Sequence, residues 1–316
     1  RFADPYYVSV AGFVGIYIML VSSLNVTNGY AGLFSLGHPA FMAVGDYVAT
    51  ILAFPSGPRK ALLFPDLPAF LTQHTVPFWA ALILGALGAV VLALVVGFPV
   101  ARLRGHYLAL ATLAVIIVVA VLLTNMRGYT RGPLGINGIP PRTTLLWIYS
   151  CVVITLYAVH RMTSSTFGRA LEAIRDDEHA AAALGIPVGQ YRLFALAFGA
   201  AFAGVAGALW AHLVTAITPN TFSVAMSFQL VVMVVVGGAG SFWGPIIGAS
   251  FLTLLTEIIR PIETRYQVYG ISQIVTALIL IAFLAFRPQG IIPATRRLPL
   301  LPRGSELTRK TGTPAS

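Results

Sequence analysis

One stretch of the sequence limits the possible folds more than any other, because it carries no charged side chain over the length of several helices. Between Arg192 and Glu257 there is no aspartate, glutamate, lysine or arginine. A soluble domain has about 25% charged residues to cover its surface, whereas this chain has 9% and is 57% hydrophobic. Apolar segments of about 20 residues, long enough to cross a bilayer core, recur along it. The sequence therefore predicts an all-α polytopic integral membrane protein.

Charge-free windows and turn residues divide the chain into about nine transmembrane spans. Gly37, Pro39 and Asp46 fall inside the second window, which predicts a broken or kinked helix there. The glycine-rich stretch 237–244, between the seventh and eighth spans, shares a Gly-x-Ala-Gly start with residues 29–37. Paired interrupted helices can mark a transport pathway, but chance or plain helix packing explains so short a match equally well. The spans are expected at 6–24, 33–53, 77–99, 106–123, 144–160, 193–213, 223–236, 245–259 and 268–286.

Basic residues set the predicted orientation. If the spans alternate, the bases after the third span, in the loop after the fifth and in the C-terminal tail share one side, which the positive-inside rule assigns to the cytoplasm. The same alternation puts Arg1 outside, so one further helix is expected before it. The net charge of +10 does not indicate nucleic-acid binding, because the bases are spread over loops and a tail. The bases on the predicted cytoplasmic side are Arg102, Arg104, Arg161, Arg169, Arg175, Arg192, Arg296, Arg297, Arg303, Arg309 and Lys310.

A charged segment, "GRALEAIRDDEHAAAALG" at 168–185, lies in the loop after the fifth span. Its strong helix formers, followed by Gly185 and Pro187, predict one or two short helices outside the bilayer. The alanine run is too small-sided for a membrane-surface helix, but it lets another backbone approach while charges fix the orientation of a partner. The residues alone leave a solvated inter-helix loop equally possible.

Several ordered motifs together resemble one family. A helix, an acid, an alanine pair and a glycine in a cytoplasmic loop look like the coupling loop of ATP-binding cassette importer permeases, although Glu178 and Gly185 stand one residue further apart than usual. Residues 12–291 resemble the branched-chain amino acid permease family, specifically its M-type subunit. The sequence departs from the family at Arg131, where a small residue is usual, and at Pro39, where alanine is frequent. The motifs are "GRALEAIRDDEHAAAALGIPVGQYRLFALAFGAAFAGVAGAL", "NGYAGLFSLGHPAFMAVGDYVA", "LRGHYLALATLA", "TRGPLGINGIP", "VVGGAGSFWGPIIGA" and "FRPQGI".

The resemblance implies a permease subunit that moves branched-chain or other hydrophobic amino acids across the inner or plasma membrane. It also implies four partners, namely a homologous H-type permease subunit, two cytoplasmic ATPase subunits and a periplasmic or extracellular substrate-binding protein. ATP would be bound by the ATPases, so no cofactor is expected in this chain. Urea, short amides and small organic or aromatic acids stay open as substrates, since the family serves them too. Residues 1–291 would form the permease domain, with a coupling loop at 161–192, and residues 292–316 a basic, disordered cytoplasmic tail.

Two groups of candidate site residues follow. Asp46 is an acid within an apolar span, and such a group faces protein or a watery cavity, so a pathway role competes with that of an interfacial or structural acid. His38 is expected to satisfy backbone groups at the helix break rather than to contact substrate, although both roles stay open. Contact with the ATPase is expected, on the resemblance, from Arg175, Asp177, Glu178, Ala181, Ala182 and Gly185. The translocation pathway is expected to involve Ser35, His38, Asp46 and Asn137.

Other features indicate structure rather than chemistry. Gly199, Gly204 and Gly207 along the sixth span predict close helix packing, and Glu257 with Arg260 predicts an i,i+3 pair near the outer end of the eighth span. An integral membrane enzyme would need converging catalytic groups, and the sequence offers no nucleophile–base pair, metal-ligand cluster or phosphate-binding glycine loop. No catalytic or metal site is therefore predicted. A non-transporting scaffold would leave Asp46 and the paired interruptions unexplained.

Overall fold

A computed structural model describes residues 5–100, 103, 105–266, 270–286 and 290–292. The predicted tail from residue 293 onward, together with Arg102 and Arg104, lies outside the described residues. Two short strands, β1 (Ile136–Asn137) and β2 (Ala216–Ile217), pair antiparallel. The helices are α1 (Pro5–Asn25), α2 (His38–Ala53), α3 (Pro58–Leu63), α4 (Ala69–Gln73), α5 (Phe78–Val100), α6 (His106–Asn125), α7 (Arg127–Thr130), α8 (Leu145–Thr163), α9 (Thr166–Asp176), α10 (Glu178–Ala183), α11 (Val188–Val214), α12 (Val224–Gly237), α13 (Gly244–Tyr266) and α14 (Ile271–Phe286).

Each of the nine predicted windows contains one long helix, which confirms the all-α polytopic class. Within the part of the chain that the structure describes, six helical stretches are long and apolar enough to cross a bilayer, so the number of spans is confirmed in part. Helices α2 and α14 have 16 residues each, about 24 Å at 1.5 Å per residue, and α13 carries charged residues in its second half. The six stretches are Tyr6–Tyr30, Phe78–Val100, Tyr107–Asn125, Leu145–Thr163, Val188–Val214 and Pro219–Gly237.

The long helices alternate in direction, as contacts at the two ends of the bundle demonstrate. At one end, called the hairpin end, the start of α1 meets α13 through a hydrogen bond of 3.2 Å from the Tyr6 hydroxyl to Glu257. Glu257 also forms the predicted pair with Arg260, at 2.9 Å. The hairpin end contains residues 54–77, 126–144 and 215–223. The opposite end, called the loop end, contains residues 26–37, 163–187 and 238–243.

The loop end also gathers the connection between α5 and α6. Leu103 and Gly105 line a cavity of about 310 Å³ together with Gly32 and Arg192. The described residues Leu103 and Gly105, after the third span, and the loop after the fifth span therefore lie at the same end of the bundle, as the alternation of spans predicts. The loop end is the side for which the positive-inside rule predicts a cytoplasmic location.

The centre of the bundle is formed by α2, α5 and α11, which approach each other at glycines. A β-carbon on Gly45 would overlap backbone atoms of Gly204, and one on Gly207 would overlap the carbonyl oxygen of Met42. A β-carbon on Gly85 would lie 2.7 Å from the carbonyl oxygen of Gly45. Small residues allow this approach where apolar burial gives helices no preference for one another over lipid. The close packing predicted for Gly204 and Gly207 is confirmed.

The interruption predicted within 33–53 lies at the start of that window rather than inside the helix. Helix α1 continues into a π-helical turn, Val26–Tyr30, and residues 31–37 are not helical. Helix α2 then runs unbroken from His38, with Pro39 in its first turn. A proline fits there because its missing N–H would have no helical partner at that position. Asp46 therefore belongs to an intact helix, not to a kink.

Arg131, which departs from the family pattern, occupies a backbone conformation that favours glycine. Its φ is +62°, in the left-handed region that a side chain makes costly for most residues. The residue links α7 to a 3₁₀ turn, Gly132–Leu134, at the hairpin end. A glycine would adopt this conformation without strain, whereas the arginine here adopts it at a conformational cost.

Candidate coupling and translocation site

The non-helical residues 31–37 are held by side chains from three directions. Asn28 bonds Ser35 twice, accepting from its N–H at 3.0 Å and donating to its carbonyl oxygen at 3.0 Å. At Leu36, the N–H donates to the Thr112 hydroxyl of α6 at 3.0 Å, and the carbonyl oxygen accepts from the Ser227 hydroxyl of α12. Irregular backbone at membrane depth is tolerated where protein satisfies its polar groups. This segment is therefore an ordered part of the loop end, held by specific hydrogen bonds.

The first interruption is defined here as residues 26–37, the π-helical turn and the non-helical residues after it. The second interruption, residues 238–243 between α12 and α13, packs directly against its π-helical turn. The Asn25 side chain accepts from the Gly240 N–H at 2.8 Å and donates to the Ser241 carbonyl oxygen at 2.9 Å. A β-carbon on Gly29 would overlap the Gly240 nitrogen. Ser241 in turn accepts from the Gly244 N–H at 2.8 Å. The two Gly-x-Ala-Gly segments paired on sequence alone are thus in contact.

The charged segment forms two short helices at the loop end, as predicted. Ser165 begins α9 by accepting from the N–H groups of Phe167 and Gly168, a helix cap of the usual kind. Leu171 and Ile174 are the buried residues of its apolar face. Leu171 belongs to a small apolar cluster that includes residues of the 26–37 segment. Helix α9 therefore lies on the first interruption rather than in open solvent.

Asp177 caps α10 and is not directed at any distant group. Its carboxylate accepts from the His179 N–H at 2.8 Å and the Ala180 N–H at 3.0 Å. These backbone bonds, the one from Ala180 foremost, hold the pKa of this carboxyl below its usual value, because they favour the charged form. The cap is thus intact at neutral pH, and its contribution is lost only as the pH falls through that lowered pKa.

The remaining coupling candidates divide between inward and outward positions. Glu178 forms a two-point ion pair with Arg192, at 3.2 and 2.8 Å, which ties α10 to the start of α11. Ala181 is buried, whereas Ala182 and Gly185 are exposed. Gly185 has φ +84°, and no atom lies within 4 Å of where its β-carbon would be. Leu184 beside it is 81% exposed, which leaves an outward surface of small residues with one apolar side chain.

Arg175 points towards the bundle, not away from it. Its Nη1 donates to the carbonyl oxygen of Gly29 at 3.0 Å, and its Nε and Nη2 donate to Asp176 at 3.2 Å. Its aliphatic stem covers Gly32, where a β-carbon would lie 2.7 Å from the arginine Cγ. No pattern in the sequence indicates this inward contact.

The four pathway candidates are only partly brought together. Ser35 and His38 lie next to each other at the loop end of α2, both buried. Neither ring nitrogen of His38 has a hydrogen-bond partner among the described residues, so the idea that it satisfies the backbone of the break is wrong. Asp46 is buried two turns further along α2 and accepts from the Thr50 hydroxyl at 3.3 Å. Asn137 is exposed in β1 at the hairpin end, far from the others in the fold.

Comparison with known proteins identifies the family. A family model described as "Branched-chain amino acid transport system / permease component" matches residues 6–284. The chain belongs to this family. It is 31% identical to the high-affinity branched-chain amino acid transport system permease protein LivM of Escherichia coli (strain K12) and, equally, to that of Salmonella typhimurium (strain LT2), over 92% of this chain and 70% of each relative.

A more distant relative matches this chain over nearly the whole of the relative's length. The probable branched-chain amino acid transport permease protein LivM of Methanocaldococcus jannaschii is 24% identical over 88% of this chain and 91% of the relative. No solved structure gives a significant match. Membership of this permease family makes the chain a multi-pass membrane transport protein of the kind that works with ATPase and substrate-binding partners.

Sequence reasoning missed the side chains that hold this permease's interruptions in place. Asn25, Thr112 and Ser227 each lie in a long apolar segment, where a single polar residue resembles any tolerated helix residue. Asn25 and Asn28 do flank the π-helical turn, directly before the "GYAG" motif. Two asparagines at the end of an apolar span are the one signal from which backbone-satisfying groups could have been inferred.

Proposed function

We propose that this chain is a permease subunit of an ATP-driven importer that carries branched-chain or other hydrophobic amino acids into the cell. The observation that carries the proposal is the 31% identity, over 92% of the chain, to permeases named for high-affinity branched-chain amino acid transport. ATP binding and hydrolysis in separate subunits would bias the permease between inward-facing and outward-facing states. The chain would then contribute part of the translocation pathway and a coupling loop, but no catalytic group.

The coupling loop, residues 161–192, is the proposed ATPase contact within a permease domain of residues 1–291. Its outward surface supports this role because Ala182, Leu184 and Gly185 form an exposed patch of mostly small side chains. This patch belongs to the segment that begins at the helix cap of Asp177. Small side chains allow close backbone approach, and exposed charges around them can orient the partner. Two cytoplasmic ATPases and a homologous H-type permease subunit complete the proposed importer. A periplasmic or extracellular binding protein would deliver the substrate.

The experiment that tests this function is uptake by the purified complex. The tagged chain would be purified with its associated subunits from the membranes of its own host, and the complex placed in liposomes with ATP inside the compartment that faces the loop end. We expect ATP-dependent movement of radiolabelled leucine when the binding protein is added, and competition by isoleucine and valine.

The competing cargo classes serve as controls in the same assay. An excess of urea, acetamide or benzoate should leave leucine movement unchanged. Inhibition by one of these compounds, without inhibition by isoleucine, would assign the importer to that substrate class. Leucine movement that proceeds equally well without ATP would contradict an ATP-driven importer altogether.

Asp46 is proposed to act in transport rather than in assembly. Its carboxylate is fully buried in the middle of α2. The Thr50 hydroxyl donates to one oxygen, and the other oxygen has no hydrogen-bond partner among the described residues. A buried acid with so little support is costly to retain for structure alone. We expect Asp46→Asn, which keeps the size and one acceptor, to lower leucine uptake about fivefold or more.

The matched measurements separate the two roles of Asp46. Folded yield and co-purification of the other subunits should equal those of the parent, because the amide fits the same space. Thr50→Val removes the neighbouring hydroxyl and serves as the control for local packing. Parental uptake by Asp46→Asn would show that the residue is a structural acid.

A further inference from the structure

Arg175 connects the coupling loop to the backbone of the first interruption. Its Nη1 reaches the Gly29 carbonyl oxygen at 3.0 Å, inside the π-helical turn Val26–Tyr30. Hydrogen bonds from a charged donor are stronger than neutral ones. The bond spans 146 positions of sequence, so it fixes the position of α9 against a segment that is remote in the chain.

The same turn is fixed on its other side to the second interruption. Gly29 lies so close to Gly240 that a β-carbon would overlap the Gly240 nitrogen. Asn25, at the start of the turn, holds the Gly240 N–H and the Ser241 carbonyl oxygen with its two side-chain atoms. The 26–30 turn therefore lies between α9 on one side and residues 238–243 on the other, with directional bonds to both.

We propose that Arg175 is a positioning residue that makes the two interrupted segments move together with the coupling loop. Displacement of α9 would pull the Gly29 carbonyl through Arg175, and Asn25 would pass that displacement to Gly240 and Ser241. The inference rests on the proposed function, because it requires a partner ATPase to displace α9. It changes the role assigned to Arg175, from a contact with the ATPase to a tie within the permease.

Close packing at this junction explains why movement would be shared. Gly32, at φ +65°, lies under the Arg175 stem, with its missing β-carbon 3.0 Å from Cβ and 3.2 Å from Cα of the arginine. Packed elements of this kind shift as units instead of deforming continuously. Gly29 and Gly32 thus allow α9 and the turn to pack in direct contact.

The discriminating substitution is Arg175→Met, which keeps an unbranched stem over Gly32 but removes the charge and the donors to Gly29. Arg175→Lys keeps one charged donor on a stem of similar length. Arg127→Met is the control, since Arg127 is an exposed arginine at the hairpin end, outside the coupling loop. Each variant would be measured in the full complex in liposomes for leucine uptake, for ATP hydrolysis and for the amount of ATPase that co-purifies.

Loss of the tie should separate hydrolysis from transport. Coupling between two sites typically amounts to about 5–150-fold, so we expect Arg175→Met to raise the ATP hydrolysed per leucine moved by about tenfold. The amount of co-purifying ATPase should stay within about twofold of the parent, because the outward surface of α10 is unchanged. Arg175→Lys should recover most of the coupling, and Arg127→Met should equal the parent.

A second substitution tests the other half of the junction. Asn25→Leu fills a similar space but bonds neither Gly240 nor Ser241. If both residues act through one turn, Asn25→Leu should also raise the ATP hydrolysed per leucine moved. In the double variant this ratio should then rise by less than the product of the two single increases. Multiplicative effects would indicate two independent contacts and would overturn the shared movement.

The outcomes distinguish this inference from the proposed function. A parental complex that neither hydrolyses ATP nor moves leucine would refute the proposed function itself. Loss of the ATPase from the Arg175→Met complex would make Arg175 a docking residue, and parental coupling in that variant would make the bond dispensable. Either result overturns the positioning role while leaving the importer assignment intact. If Arg175→Met does not fold, Arg175→Lys decides, because it keeps a charged donor near Gly29. Uncoupled ATP hydrolysis in the lysine variant would then overturn the positioning role.

Discussion

Replacing Gly45 with alanine is expected to reduce the folded protein recovered from membranes by about tenfold, with a loss of about 3 kcal/mol of stability. The added β-carbon would overlap the Cα, carbonyl carbon and carbonyl oxygen of Gly204. Backbone atoms cannot rotate away as the end of a side chain can, so α2 and α11 would have to separate. That separation would also disturb α5, because Gly85 packs on the Gly45 carbonyl oxygen.

The matched control for this substitution is Gly88→Ala, at a half-buried position where α5 faces α2. Its β-carbon would lie 3.3 Å from Cγ2 of Val48 and 3.5 Å from Cγ1 of Val44, which are ends of side chains that can adjust. We expect near-parental yield from Gly88→Ala, measured by gel filtration of detergent-solubilised protein. Equal recovery of the two variants would mean that α2 and α11 do not pack through Gly45.

The fold was accessible from sequence because each long apolar window has a single physical solution. A charge-free segment of about 20 residues must satisfy its backbone internally, and a helix does so without any partner. That reasoning located all nine long helices. It could not establish that α2 and α14 are only 16 residues long, because hydropathy does not mark where apolar residues stop being helical.

Residues 33–37 illustrate that limit. They are largely apolar, like the helix that follows, yet they are not helical, since Asn28, Thr112 and Ser227 supply the bonds that a helix would otherwise make. Two of these side chains come from helices far away in sequence. No local pattern around Gly37 and Pro39 encodes them, so the interruption was expected inside the helix instead of before it.

The candidate site was predictable where its residues act on their own neighbours. The ends of α9 and α10 follow from Ser165, Asp177 and Gly185, whose cap and turn preferences are local. The direction in which a side chain faces depends on tertiary packing. Arg175 was therefore grouped with Gly185 as a partner contact, although one points to Gly29 and the other to open space.

Replacing Gly185 with tryptophan is expected to abolish uptake while the protein stays folded in the membrane. Gly185 follows α10 and is exposed, and apart from its two chain neighbours no atom lies within 4 Å of its missing β-carbon. A large side chain there therefore starts in open space. It would stand in the space proposed for the ATPase. A bulky group in a desolvated interface centre typically costs a few kcal/mol of binding, which is on the order of 100-fold in affinity.

Two controls isolate bulk from other effects of changing Gly185. Gly189→Trp places the same side chain at another open, exposed position nearby and should leave uptake close to parental. Gly185→Asn tests the backbone, since the φ of +84° is unfavourable for most residues but tolerated best by asparagine among those with a side chain. We expect substantial uptake from the asparagine variant, and loss of the co-purifying ATPase from Gly185→Trp alone. Because the tryptophan faces away from the permease, parental uptake by Gly185→Trp at parental expression would place the ATPase contact elsewhere on the loop end.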